Sequence, residues 1–268
     1  MCGIVAYIGK KEAYPIIVKG LKRLEYRGYD SAGIALLDDQ LNVYKRQGKV
    51  SNLEEFTTTK NVKGHLGIGH TRWATHGAPN DTNAHPHYSN SERIALIHNG
   101  IIENYAVLKE ELIARGYTFK SQTDTEVLVH LIDDIQRKEN VSLYEAVRMA
   151  LQNVVGAYAI VVISEDYPNQ LIAARKSSPL VVGIGKENDF YLASDATPIS
   201  EYTNQVVYLE DEEMALVDLE NGLQITNLRN QPKSPYVQEL EMQLEALEKG
   251  GYEHFMLKEI HEQPRSIK

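Results

Sequence analysis

Cysteine is almost absent: the chain has one in 268 residues. A single thiol excludes an internal disulfide framework and points to a reducing, cytoplasmic setting. Long apolar runs are also missing. The longest, AYAIVVI at residues 157–163, falls far short of the ~18 residues that a spanning helix needs, so no membrane partner is expected. Nor is there a surplus of positive charge. The 28 Lys and Arg face 37 Asp and Glu, and a net charge of −9 leaves no electrostatic footprint for nucleic acid. Lys10, Lys11 and Glu12 interrupt the first apolar stretch, and no small-residue cleavage pattern follows, so a secretory leader is not expected either. Repeats and low-complexity tracts are lacking. What remains is a composition ordinary for a globular protein, long enough for one large domain or two small ones.

The one cysteine stands at position 2, directly behind Met1. Chance would put it there about once in 268 chains, so the placement asks for a reason. Were Met1 removed, Cys2 would carry a thiol and a free α-amine on one residue. That amine has a reference pKa of about 7.7–8.0 and could act as general base for its own side chain. The plainer alternative is a small buried hydrophobe opening a strand.

Apolar periodicity predicts strands over residues 2–8, 32–37, 41–47, 66–71 and 93–98, with Asp38, Asp39 and Gln40 as a hairpin turn. Helical spacing follows at Ile16, Ile17, Leu21 and Leu24. It recurs at Tyr105, Leu108, Leu112 and Ile113 up to Gly116, and again from Val127 to Ile135. Ser142 with Glu145 is a capping-box pattern that opens a further helix. Short strands are then expected at 157–163, 170–175, 179–184, 190–194, 205–209, 213–217 and 223–227. About a dozen strands with helices grouped between them indicate an α+β class with antiparallel layers. A polar stretch at 227–235 reads as a boundary. Beyond it, Val237, Leu240, Leu244 and Leu247 suggest an amphipathic helix ended by Gly250 and Gly251. Residues 252–268 break off without a finished element, as in a piece cut inside a linker.

Six of the nine histidines crowd into residues 65–99 (His65, His70, His76, His85, His87 and His98). A metal site is one reading, because imidazole is a common ligand. Carboxylates nearby are few, however, and no metal is expected; His65 and His87 read as loop-bonding residues at strand ends. Arg72 closes a strand, where its guanidinium fork suits a ligand carboxylate or, alternatively, a surface ion pair. Asn99 and Gly100 follow the 93–98 strand and form either an oxyanion-binding pair or an ordinary Asn-Gly turn. Asp124 precedes a helix and is either its N-cap or a ligand for an ammonium group.

Together these segments resemble one arrangement. In order they are Met1-Cys2-Gly3-Ile4-Val5, residues 24–33 (LEYRGYDSAG), residues 69–77 (GHTRWATHG), Asn83-Ala84-His85-Pro86-His87, residues 98–104 (HNGIIEN) and Thr123-Asp124-Thr125-Glu126. They are similar to the N-terminal glutaminase domain of the glucosamine-6-phosphate synthase family, within the class II glutamine amidotransferases. The likeness covers essentially the whole chain. Amidophosphoribosyltransferases share the Cys2 start and the Asn99-Gly100 pair but normally differ around residues 71–77.

The resemblance implies an N-terminal nucleophile hydrolase, a four-layer αββα sandwich of two antiparallel sheets that acts on L-glutamine without cofactor or metal. It assigns the nucleophile to Cys2 and the oxyanion hole to Asn99 and Gly100. Arg72 would bind the substrate α-carboxylate, with Thr75 and His76 in the same loop, and Asp124 the α-ammonium. Trp73 would gate an ammonia channel, and Arg27 would form a wall that orders on binding. By the same resemblance, residues 2–218 form the amidotransferase domain and 219–251 its last strand and helix. Residues 252–268 begin a linker to sugar-isomerase domains, and the full-length enzyme is a homodimer.

Overall fold

The computed structural model describes residues 2–240, 252 and 255–266. Two antiparallel sheets lie face to face. Numbered along the chain, the first sheet runs, from edge to edge, β15 (Gln238–Glu239), β11 (Gln205–Tyr208), β9 (Val181–Ile184), β10 (Phe190–Ala193), β1 (Gly3–Ile8), β4 (Leu66–Arg72), β2 (Ser31–Leu37) and β3 (Leu41–Gln47). The second runs β14 (Pro232–Lys233), β13 (Gly222–Asn227), β12 (Glu213–Asp218), β8 (Gln170–Lys176), β7 (Gly156–Ser164), β6 (Ile94–Ile102) and β5 (His87–Tyr88). Helices α1 (Ala13–Leu24) and α2 (Val50–Thr57) cover the first sheet; α3 (Tyr105–Ala114), α4 (Asp124–Glu139) and α5 (Leu143–Gln152) cover the second. The result is an αββα sandwich.

Alternation within single strands produces the three apolar layers. In β1, Ile4, Ala6 and Ile8 enter the layer between the sheets, while Val5 and Tyr7 face α1. In β6 and β7, Ala95, Ile97, Ala159, Val161 and Ile163 point between the sheets, and Ile94, Leu96, Ile160 and Val162 point at α4 and α5. A strand covered on both faces therefore reads as an unbroken apolar run even though its side chains alternate. Truncating one of these residues, as in Ile97→Ala, costs about 2–5 kcal/mol.

Helix α4 has a full set of end signals. Thr123 is its N-cap and accepts a hydrogen bond from Glu126 N at 3.3 Å; acidic residues fill the first turn, Arg137 and Lys138 the last, and Asn140 ends it in the left-handed conformation. The cap is thus Thr123 and not Asp124, which is the first helical residue.

Several expectations from periodicity are corrected. Strand β6 runs through Asn99 and Gly100, paired to Ala159 and Tyr158, so the pair is not a turn. Ile113 on α3 is exposed and only Leu112 of that helix is buried, because α3 packs as an outer helix against α4. Residues 227–235 are no boundary: β14 extends the second sheet from β13. The helix expected from Val237 begins instead as β15, paired with β11, while Leu244, Leu247, Gly250 and Gly251 lie outside the described residues. The last segment does contain a finished element, helix α6 (Phe255–Ser266). Helix α2 and strand β5 had no expectation at all. Among the described residues no helix is long and apolar enough to cross a membrane.

Candidate active site

The layer between the sheets changes character at one end. Leu66 and Ile68 belong to it, and the next two residues of the same parity on β4 are His70 and Arg72. On β6 the inward series Ala95, Ile97 continues to Asn99; on β1, Ile4, Ala6 and Ile8 extend backward to Cys2. A period of two therefore places Cys2, His70, Arg72 and Asn99 on the facing surfaces of two sheets, where hydrocarbon gives way to polar groups. A cavity of about 450 Å³ opens there, with Cys2, Arg72, Trp73, Asn99, Gly100 and Asp124 among its walls.

Cys2 Sγ accepts a hydrogen bond from Trp73 N at 3.1 Å. Burial pushes the Cys2 thiol up; the Trp73 amide and the charge of Arg72 act against this without overcoming it, and Asp30 adds to the rise. At rest the group is a thiol, so a nucleophilic role needs a base.

Across the sandwich, Asn99 Nδ2 donates to the Cys2 carbonyl at 3.2 Å, and Asn99 Oδ1 lies 2.9 Å from His70 Nε2. Gly100 follows with φ +138°, and a Cβ there would stand 2.0 Å from the Ala157 carbonyl oxygen. Only glycine fits that backbone.

Arg72 is 3% exposed. One of its terminal nitrogens, Nη2, donates to the carbonyls of His76 and Gly77. The other, Nη1, makes no hydrogen bond among the described residues; its nearest anion is Asp30 Oδ1 at 4.0 Å. Asp30 also accepts from Ala74 N and from Ser31 Oγ, which ties the segment after β4 to the start of β2. A buried guanidinium nitrogen without an acceptor is costly unless something else supplies one.

Asp124 is buried and accepts from Ile102 N at 2.8 Å, which pins the end of β6 to the start of α4. Thr75 lines the cavity. The His76 ring instead lies against Tyr105, 5.3 Å between centroids, and its backbone carbonyl is the part that meets Arg72. Trp73 is 54% exposed and rests on Gly28, where a Cβ would stand 2.1 Å from the indole. Arg27 reaches the cavity wall held by Asp195 and by Ser194 Oγ at 3.3 Å.

Comparisons with known proteins identify the family. A profile described as a glutamine amidotransferase domain matches residues 57–244. The chain belongs to the glutamine amidotransferase domain family. It is 64% identical, over its whole length, to the glutamine–fructose-6-phosphate aminotransferase (isomerizing) of Bacteroides thetaiotaomicron, of which it covers 44%. The protein of the same name from Thermus thermophilus is 53% identical over 98% of this chain and 43% of its own. The chain thus spans less than half the length of these relatives. Among solved structures, the glutamine phosphoribosylpyrophosphate amidotransferase of B. subtilis in complex with ADP and GMP superposes with a TM-score of 0.73. It shares 30% identity over 85% of this chain and 49% of that one.

The histidines of this amidotransferase domain are not gathered as ligands. Among the described residues no group of three or more His, Cys, Asp or Glu is placed to hold a metal ion. His70 and His85 stack at 4.3 Å, His85 meets His87 edge-on at 4.9 Å, His87 Nε2 lies 3.0 Å from Thr123 Oγ1, and His98 Nδ1 lies 2.9 Å from Thr125 Oγ1. Burial is the main reason all four are held below the usual imidazole range, His70 down to about 3. Sequence reasoning named the histidines as a cluster but missed the neutral wall they build, the partnership of His70 with Asn99, and the tie made by Asp30. Parity along β4 was the one available signal for His70.

Proposed function

We propose that this chain hydrolyses L-glutamine to glutamate and ammonia through a thioester on Cys2. The observation that carries the reading is the cavity in which a lone thiol, an amide donor and a buried arginine nitrogen lacking an acceptor converge. With Met1 removed, the Cys2 α-amine takes the thiol proton as sulfur attacks the side-chain amide carbon of glutamine. Asn99 Nδ2 and Gly100 N–H receive the developing oxyanion. Collapse breaks the C–N bond, the protonated amine gives its proton to the departing nitrogen, and ammonia leaves. Water then attacks the thioester, with the amine again as base, and glutamate is released. Arg72 binds the α-carboxylate and Asp124 the α-ammonium; Thr75 and His76 shape the loop between, and Trp73 and Arg27 form the outer wall.

Residues 2–251 act in this reading as the glutaminase unit, and residues 252–268 begin the connection to sugar-isomerase domains. In a longer, homodimeric cytoplasmic enzyme, ammonia would pass to fructose 6-phosphate and yield glucosamine 6-phosphate. The identity to aminotransferases of that name and the coverage of under half their length support this assignment. The test is glutamate release by a preparation whose intact mass shows Met1 removed. Wild type should release glutamate, and Cys2→Ala should release none while keeping its thermal transition. Substantial release by Cys2→Ala, or none by processed wild type, would sink the reading.

A further inference from the structure

We propose that His70 is the positioning residue of the candidate oxyanion hole, fixing the Asn99 amide so that one Nδ2 hydrogen remains for the reacting carbonyl. The inference rests on the glutaminase reading and deepens it.

An asparagine amide has two orientations that differ by a half-turn, and the wrong one offers an acceptor where a donor is needed. The surroundings of Asn99 leave no choice. The Cys2 carbonyl can only accept, so the group 3.2 Å away must be Nδ2. Oδ1 then faces His70 Nε2 at 2.9 Å and can only accept, so His70 must carry its proton on Nε2. The remaining ring nitrogen, Nδ1, is buried and makes no hydrogen bond among the described residues; in this tautomer it is the unprotonated nitrogen, and no donor group has to find a partner there. One Nδ2 hydrogen is taken by Cys2, and the second is left over.

The clamp is rigid. His70 is fully buried, and the His85 ring covers it at 4.3 Å with 29° between planes. Burial also keeps the ring neutral down to about pH 3, so the donor pattern does not change over the working range. His70 sits on β4 and Asn99 on β6, so the contact joins the two sheets at the point where the nucleophile enters. Asn99 supplies the chemistry; His70 acts only through it.

The experiment uses the processed chain and its glutaminase activity. His70→Leu removes the donor and should lower kcat about 10- to 100-fold, with KM within threefold, since a displaced donor costs less than a deleted one. His70→Gln returns an N–H near the Nε2 position and should recover most of the rate. In an Asn99→Ala background, His70→Leu should cause no further loss. A general packing defect would give neither the rescue nor the non-additivity. Should His70→Leu fail to fold, ¹⁵N-histidine NMR of wild type still decides the matter: protonation at Nδ1 in place of Nε2 overturns the proposal. An unchanged kcat in folded His70→Leu also overturns it while the glutaminase reading stands. An inactive, processed wild type removes that reading itself.

Discussion

The cavity at Cys2 has a larger counterpart elsewhere in the fold. That second hollow, of about 650 Å³, is lined by Lys45, Arg46, Phe56, Tyr88, Lys120 and Glu126. It is richer in cations, yet each has a partner. Lys45 donates to the Thr82 carbonyl at 2.9 Å, Arg46 pairs with Asp81 at 2.6 Å and lies over Phe56, and Lys120 meets Glu92 at 3.3 Å above the Tyr88 ring. Among the described residues no buried side-chain nitrogen or oxygen on that wall lacks a hydrogen bond. The smaller cavity contains two such atoms, Arg72 Nη1 and His85 Nδ1. Volume and charge make a hollow. Unmet polar valence beside a nucleophile makes a candidate site.

The comparison can be broken most severely at Asn99. Asn99→Asp keeps the size but sets an acceptor against developing negative charge. Losing one such donor costs about 2.7–4 kcal/mol, a factor of ~10²–10³ in kcat. Single-turnover rates beside a glutamine titration should show the collapse with binding partly kept; a near-normal rate would remove Asn99 from the hole.

Arg72→Lys keeps the charge and loses the fork. We expect KM for glutamine to rise by about 10-fold or more, with a smaller fall in kcat. An unchanged KM would show that the unpartnered nitrogen does not meet substrate. Asp124→Asn should shift KM in the same direction. A loss of stability with unaltered kinetics would instead limit Asp124 to its anchor on Ile102.

Between the two cavities lie His87, which lines the larger, and His85, which lines the smaller and stacks on His70. Burial holds all three below the unfolded value near 6.5, His70 down to about 3, so as pH falls below 6.5 the unfolded chain binds protons that the native chain does not. The stability contributed by each is complete above pH 6.5 and declines as pH falls, because the unfolded state gains protons that the buried rings refuse. Urea midpoints should therefore drop steadily from pH 7 to pH 5. A flat profile would mean the stack is solvated or charged.

The smallest effect is expected in the larger cavity. Lys45→Met and Lys120→Gln should leave kcat/KM for glutamine within about twofold, as is usual for changes away from the reacting groups. A tenfold loss from either would erase the distinction between the two hollows.

Much of this was legible in one dimension. A lone cysteine at position 2, the motif segments and the grouped strands are properties of residue order, and hydrophobic alternation reports which faces are covered. Local signals also set the ends of α4, because Thr123, the acidic first turn and Asn140 act on neighbours a few residues away. At the start of the helix expected from Val237, Gln238 and Glu239 instead pair with β11, a contact with a distant strand that no local pattern encodes; the rest of that span lies outside the described residues.

Only the tertiary structure decided that Asn99 lies inside a strand, that Asp124 is an anchor and not a cap, and that Arg72 keeps one nitrogen unpaired. Each of these depends on groups from distant parts of the chain meeting at the end of a sandwich, with Asp124 and Ile102 22 residues apart and Asn99 and Cys2 97. Residue order determines which donors and acceptors the chain owns. Which of them remain unsatisfied is settled by packing, because a hydrogen bond needs its partner within about 3 Å and no local pattern encodes that distance.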